Sequence, residues 1–151
     1  MTALAADQLP VTVYVRATPA QVWDALTNGQ QTARYYYGSP VESTWEPGAE
    51  VAYLTPDRSA LMVGGSVVAV DPERRLVLSL RLLYDAAAAA EGSFEQRWEI
   101  QAAGEAVTRV SVAHSGLDPA GTSYQQIQGG NPLILSSLKS LLETGTGLPM
   151  A

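Results

Sequence analysis

The chain has 151 residues, 46% of them hydrophobic and 16% charged, with a formal net charge of −6 and no cysteine. That balance builds a cored globule of one domain's length (1–151, core about 9–146) and argues against disorder. It excludes disulfides, thiolate nucleophiles and cysteine metal sites, and the dispersed basic residues leave no phosphate-tracking surface for nucleic acid.

The start, "MTALAADQLPVTV", has no basic leader region, and no apolar stretch approaches the roughly 20 residues of a membrane helix. No membrane insertion is expected, and the expected location is cytoplasmic. "LPVTVYVRA" alternates, with Val11, Val13 and Val15 on one face, and predicts a half-buried strand. "TPAQVWDAL" then predicts a short helix, with Thr18 as N-cap, Pro19 at the first helical position, and Val22, Trp23 and Leu26 on its inner face. "QQTARYYY" predicts a second short helix, stopped by Gly38 and Pro40.

Strand signals follow. "VESTW", "AEVAYLT" and "SALMVGGSVVAV" are separated by the turns "EPG" and "PDR", and the Gly64-Gly65 pair predicts a bulge or bend. After the turn "DPERR", "LVLSLRLLY" places Leu76, Leu78, Leu80, Leu82 and Tyr84 on one side. "DAAAAAEG" is a low-complexity connector that can form one helical turn or stay loose. "SFEQRWEIQA" sends Phe94, Trp98 and Ile100 inward and Glu95, Arg97 and Glu99 outward, and "VTRVSVAHS" closes the run.

The last third changes period. "AGTSYQQIQGG" predicts a short helical arm broken at Gly129-Gly130. "NPLILSSLKSLLETG" predicts a longer amphipathic helix, with Pro132 in its first turn and Gly145 at its C-terminal cap. Ile134, Leu138, Leu141 and Leu142 form its apolar stripe, with Ser137, Lys139, Ser140 and Glu143 opposite. Strands joined by short turns pair antiparallel, and one sheet face needs covering. The expected fold is α+β: a curved antiparallel sheet of about six or seven strands wrapped around the C-terminal helix, with two short helices after the first strand.

The phrases "ATPAQVWDALTN", "GSPVESTWEPGAEVAY", "GSVVAVDPERRLVLSL", "FEQRWEIQAAGEAVTRVSVAHSGL" and "GGNPLILSSLKSLLETG", in this order, resemble the START-like, helix-grip (SRPBCC) superfamily. The resemblance is to the branch related to the activator of heat-shock protein 90 ATPase, and it runs from about Val11 to Gly145. It implies a cavity between sheet and long helix suited to a hydrophobic small molecule, and it implies no shared reaction. Relatives commonly carry an aromatic where this chain has Asn131.

Catalytic constellations are scarce. His114 is the single histidine and shares the apolar face of its strand with Val110 and Val112. It is either a polar anchor or general base in the cavity, or a core histidine bonded to backbone or water. Ser111 and Ser115 have the opposite parity, no "GxSxG" elbow is present, and no metal cluster or cofactor motif is read, so no cofactor is expected.

The aromatics are either packed core or the walls of a pocket. With the resemblance, the candidate cavity lining is Trp23, Tyr36, Tyr37, Trp45, Tyr53, Leu80, Tyr84, Trp98, His114, Asn131, Ile134 and Leu138. Three consecutive helical residues span about 200° of a helix, so Tyr35, Tyr36 and Tyr37 cannot share one environment. Tyr36 or Tyr37 is expected at the entrance beside Trp45, with one of the three left in solvent. The expected function is binding of a hydrophobic or aromatic small molecule. A cyclase- or aromatase-like enzyme using His114 and a tyrosine is the alternative, and a chaperone-regulating or other protein-interaction role, including a homodimer, is the second.

Overall fold

The computed structural model describes residues 7–150. Strand β1 (Gln8–Val15) leads into two short helices, α1 (Pro19–Thr27) and α2 (Gly29–Tyr35). Six strands follow: β2 (Val41–Glu42), β3 (Glu50–Leu54), β4 (Leu61–Asp71), β5 (Arg75–Leu82), β6 (Phe94–Gly104) and β7 (Val107–Ser115). Helix α3 (Ala86–Ala90) sits between β5 and β6, and α4 (Thr122–Thr144) ends the described fold. The seven strands form one antiparallel sheet in the order β1-β7-β6-β5-β4-β3-β2, a meander whose last strand pairs with the first. This is the expected α+β helix-grip architecture, with the sheet curved around α4.

Local chemistry explains the elements. Thr18 and Gln21 form a reciprocal capping box at α1: Gln21 N donates to Thr18 Oγ1 (3.2 Å) and Thr18 N to Gln21 Oε1 (2.8 Å). The "DAAAAAEG" connector folds as one helical turn because Asp85 caps it, accepting from Ala88 N at 3.0 Å. Alternation along β5 buries Leu76, Leu78, Leu80 and Leu82 in the core that also takes Ile127, Ile134, Leu135, Leu138 and Leu141, the apolar stripe of α4.

Five expectations are corrected. First, α4 is continuous: Gly129, Gly130 and Pro132 all lie inside it. Neither glycine has a positive φ, so nothing locally stops the helix, and burial of Ile127, Asn131 and Ile134 on one face outweighs the hydrogen bond that Pro132 cannot donate. Second, Gly64 and Gly65 stay in regular ladder register, and the irregularities of β4 fall on either side of them, at Leu61/Val63 against β3 and at Val67/Ala69 against β5. Glycine is needed at 65 for close approach, since a Cβ there would stand 1.7 Å from the Ser79 carbonyl oxygen. Third, Ser137 is not on a solvated face. It is buried, and its hydroxyl accepts from Leu148 N at 3.0 Å, pinning the C-terminal segment back onto α4.

Fourth, the strand expected over "VESTW" keeps only Val41–Glu42. Trp45 takes a positive φ, and its indole N–H is drawn across to Thr27 O at 3.0 Å. Fifth, Tyr84 lies beyond the end of β5 and is 52% exposed.

Helix α4 is anchored at both ends by residues distant in sequence. Its N-cap, Gly121, has no capping side chain, and Glu91 substitutes by accepting from Thr122 N (2.7 Å) and Ser123 N (2.8 Å). Those two bonds hold the Glu91 carboxyl below its usual pKa. At the other end Glu143 accepts from Arg16 N (2.8 Å), and Lys139 donates to Tyr14 O.

Candidate functional site

Between these anchors the sheet and α4 part to leave a cavity of about 450 Å³. Met62 of β4 and Leu82 of β5 form its sheet wall, and Gln126, Ile127, Gly130, Asn131 and Ile134 of α4 its opposite wall. Tyr36 and Tyr37, just after α2, and Tyr84, just after β5, complete it. No acidic or basic side chain is among these lining residues. The space is therefore apolar, with neutral polar groups at a few points, the usual make-up of a small-molecule site.

The tyrosine run takes three environments. Tyr35 turns into the core and donates its hydroxyl to Ala25 O at 2.9 Å, which locks α2 onto α1. Tyr36 stacks at 5.1 Å between ring centroids on Tyr53, which stands behind it, and meets Tyr37 edge-on at 5.7 Å. A positive φ at Tyr37 and at Gly38 makes the sharp turn that brings Tyr36 and Tyr37 to the same wall, where both are half-buried rather than one of the three standing fully in solvent. Burial, then the neighbouring Tyr53, Tyr84 and Tyr37, pushes the Tyr36 phenol well above its ordinary pKa, and burial raises Tyr53 likewise. At neutral pH these rings offer neutral hydroxyls. At the mouth the Tyr84 hydroxyl reaches Gln126 Oε1 at 3.4 Å.

Of the sequence candidates, Tyr36, Tyr37, Tyr84, Asn131 and Ile134 come together at the cavity. Tyr53 packs behind Tyr36, while Leu80, Trp98 and Leu138 are packed core. Trp23 is partly buried on α1, and Trp45 is held by Thr27 O away from the cavity wall, so it does not stand beside Tyr36 or Tyr37 at an entrance. His114 is 1% exposed and reaches the cavity only through Asn131, whose Nδ2 lies 3.3 Å from His114 Nε2. Gln96 Nε2 meets the same imidazole nitrogen at 3.3 Å. Burial lowers the His114 pKa to about 4, opposed only in part by the Gln8 backbone, and among the described residues Nδ1 has no hydrogen-bond partner.

Met62, Leu82, Gln126, Ile127 and Gly130 line the cavity without having been candidates. Leu82 was marked inward by its strand parity. The α4 residues were masked by the break expected at Gly129-Gly130; the four-residue spacing from Ser123 to Ile127 to Asn131 was the signal for one uninterrupted stripe.

Solved structures share this architecture. The chain covers 91% of itself on DynU16, a protein of the dynemicin biosynthetic locus, at TM-score 0.70 and 22% identity, while spanning only 48% of that protein. It matches the Aha1 dimer from Colwellia psychrerythraea at TM-score 0.73 and 15% identity, covering 94% of this chain and 99% of that one. CalU16 from Micromonospora echinospora matches at TM-score 0.70 and 17% identity, over 93% and 76%. At such identities the likeness carries the fold alone. No curated protein matches the chain. The family pattern described as "Activator of Hsp90 ATPase homolog 1-like protein" matches residues 16–143, and the chain belongs to that family.

Proposed function

We propose that the protein binds a hydrophobic or aromatic small molecule in the cavity between the sheet and α4. The observation that carries this reading is the cavity itself: about 450 Å³, walled by Met62, Leu82, Ile127 and Ile134, with tyrosine and amide groups as its polar points. A space of this size falls in the range of ligand pockets, and its apolar walls favour an apolar guest.

The cyclase-like alternative has less support. His114 is screened from the cavity by Asn131, its lowered pKa keeps it from holding a proton near neutrality, and the raised tyrosine pKa values disfavour a phenolate base. A homodimer is a further partner, supported by the dimeric state of the Colwellia relative.

The test uses N-phenyl-1-naphthylamine, a neutral dye that fluoresces in apolar surroundings. The wild-type protein should enhance its fluorescence saturably, and Gly130→Leu should abolish the effect. A Cβ at Gly130 would lie 3.5 Å from the Tyr37 hydroxyl, so the leucine extends into the cavity without a backbone clash. Equal enhancement in the variant, with its helix content intact, would locate the dye elsewhere and remove the support for the reading.

A further inference from the structure

A chain of donors and acceptors runs from the core to the cavity wall, and it settles which way Asn131 faces. It begins at Trp98, whose indole Nε1 lies 2.9 Å from Gln96 Oε1. An indole nitrogen can only donate, so the Gln96 oxygen is the acceptor and its NH₂ group is the end directed at His114. That group meets His114 Nε2 at 3.3 Å. A donor facing Nε2 requires that nitrogen to carry a lone pair, which puts the imidazole proton on Nδ1. Asn131 approaches the same Nε2, also at 3.3 Å, so it too presents its NH₂ group. Its carbonyl oxygen is therefore turned the other way. Asn131 lines the cavity, and among the described residues its Oδ1 has no hydrogen-bond partner and is not sealed in the interior.

Resting on the cavity reading above, we propose that Asn131 Oδ1, held in place by His114 acting as a positioning residue, makes the cavity selective for neutral ligands carrying a hydroxyl or N–H donor. The tyrosine and glutamine groups around the cavity can serve as donor or acceptor, whereas Asn131 offers only an acceptor. A ligand carboxylate would meet that oxygen without any lysine or arginine on the wall to compensate it. Donation to a fixed, otherwise unpaired acceptor is the kind of contact that discriminates sharply between analogues. Burial keeps the imidazole neutral across the physiological range, so the orientation does not lapse there.

The test compares 2-naphthol, its methyl ether 2-methoxynaphthalene, and 2-naphthoate as competitors of N-phenyl-1-naphthylamine at neutral pH. The ether keeps the ring system and an acceptor oxygen but loses the donor, and it is the more apolar, so hydrophobic burial alone would favour it. The naphthol should bind about tenfold more tightly than the ether, the magnitude of one good hydrogen bond. The naphthoate should be weakest.

Asn131→Leu should bring naphthol and ether to near-equal affinity. His114→Phe, which frees the amide to rotate, should shrink the preference, and His114→Gln, with an acceptor oxygen for Asn131, should keep it. A wild-type protein that binds ether as tightly as naphthol, or naphthoate best, overturns the selectivity and leaves the cavity reading standing. A preference that survives Asn131→Leu overturns the role of Asn131, and one unchanged in His114→Phe overturns the positioning role of His114. If neither the dye nor any naphthalene binds, the cavity reading itself has failed, and the selectivity with it.

Discussion

The residue that best reports on this site is the only histidine of the chain, His114. Its imidazole is 1% exposed among Phe94, Gln96 and Asn131, with no carboxylate bonded to it among the described residues, and burial brings its pKa down to about 4 from an ordinary 6.5. The folded state thus resists a proton that the unfolded chain accepts. Stability from this source is fully present above about pH 6.5 and is lost as pH falls towards 4, by about 3 kcal/mol in total. Urea unfolding at stepped pH should show that loss, and His114→Gln should flatten it across the same window. Because no second imidazole exists, one ring resonance in the NMR spectrum reports the titration directly. Asn131 shows the complementary limit of residue-level reading. The sequence marked it only as a polar residue where relatives carry an aromatic, and its orientation depends on Trp98 and Gln96, which lie on β6.

At the scale of elements, α4 shows where local signals and packing disagree. Gly129, Gly130 and Pro132 read locally as a break, yet the helix runs unbroken for 23 residues. Only Gly130 of the two glycines serves the cavity wall; Gly129 is exposed, and nothing lies within 4 Å of where its Cβ would stand. Gly129→Ala should therefore stabilise the protein by about 1 kcal/mol through helix propensity alone. A rise in Tm of about 2–4 °C, with dye binding unchanged, is the expected calorimetric result. Elements whose boundaries rest on local chemistry were legible: the Thr18–Pro19 start of α1, the Gly145 cap of α4 and the inward faces of β5 to β7 all stand where the residues place them. The strand over "VESTW" was not, because Trp45 is pulled out of register by a carbonyl on α1.

Across the whole molecule, α4 is fastened at one end by Glu91 and at the other by Glu143 and Lys139, and the cavity lies along its N-terminal half. A guest in that space should couple to global stability by mass action. At a free dye concentration one hundred times its Kd, the folded state should gain about 2.7 kcal/mol. For a chain of this length that corresponds to a rise in Tm of about 5–10 °C, and Gly130→Leu should show none of it.

The sequence by itself determined the order of elements, the α+β class, the faces that turn inward and the family, because capping, alternation and helical spacing act between residues a few positions apart. The tertiary structure decided the rest. It carried α4 through its glycines, buried Ser137 and Tyr35, half-buried Tyr36 and Tyr37, and opened a void beside Met62 and Ile127. Voids and hydrogen-bond polarity arise where strands and helices distant in the chain meet, and no periodicity in the chain records how well their surfaces fit. The direction in which Asn131 points, set through His114 and Gln96 by a tryptophan on β6, belongs to that second class.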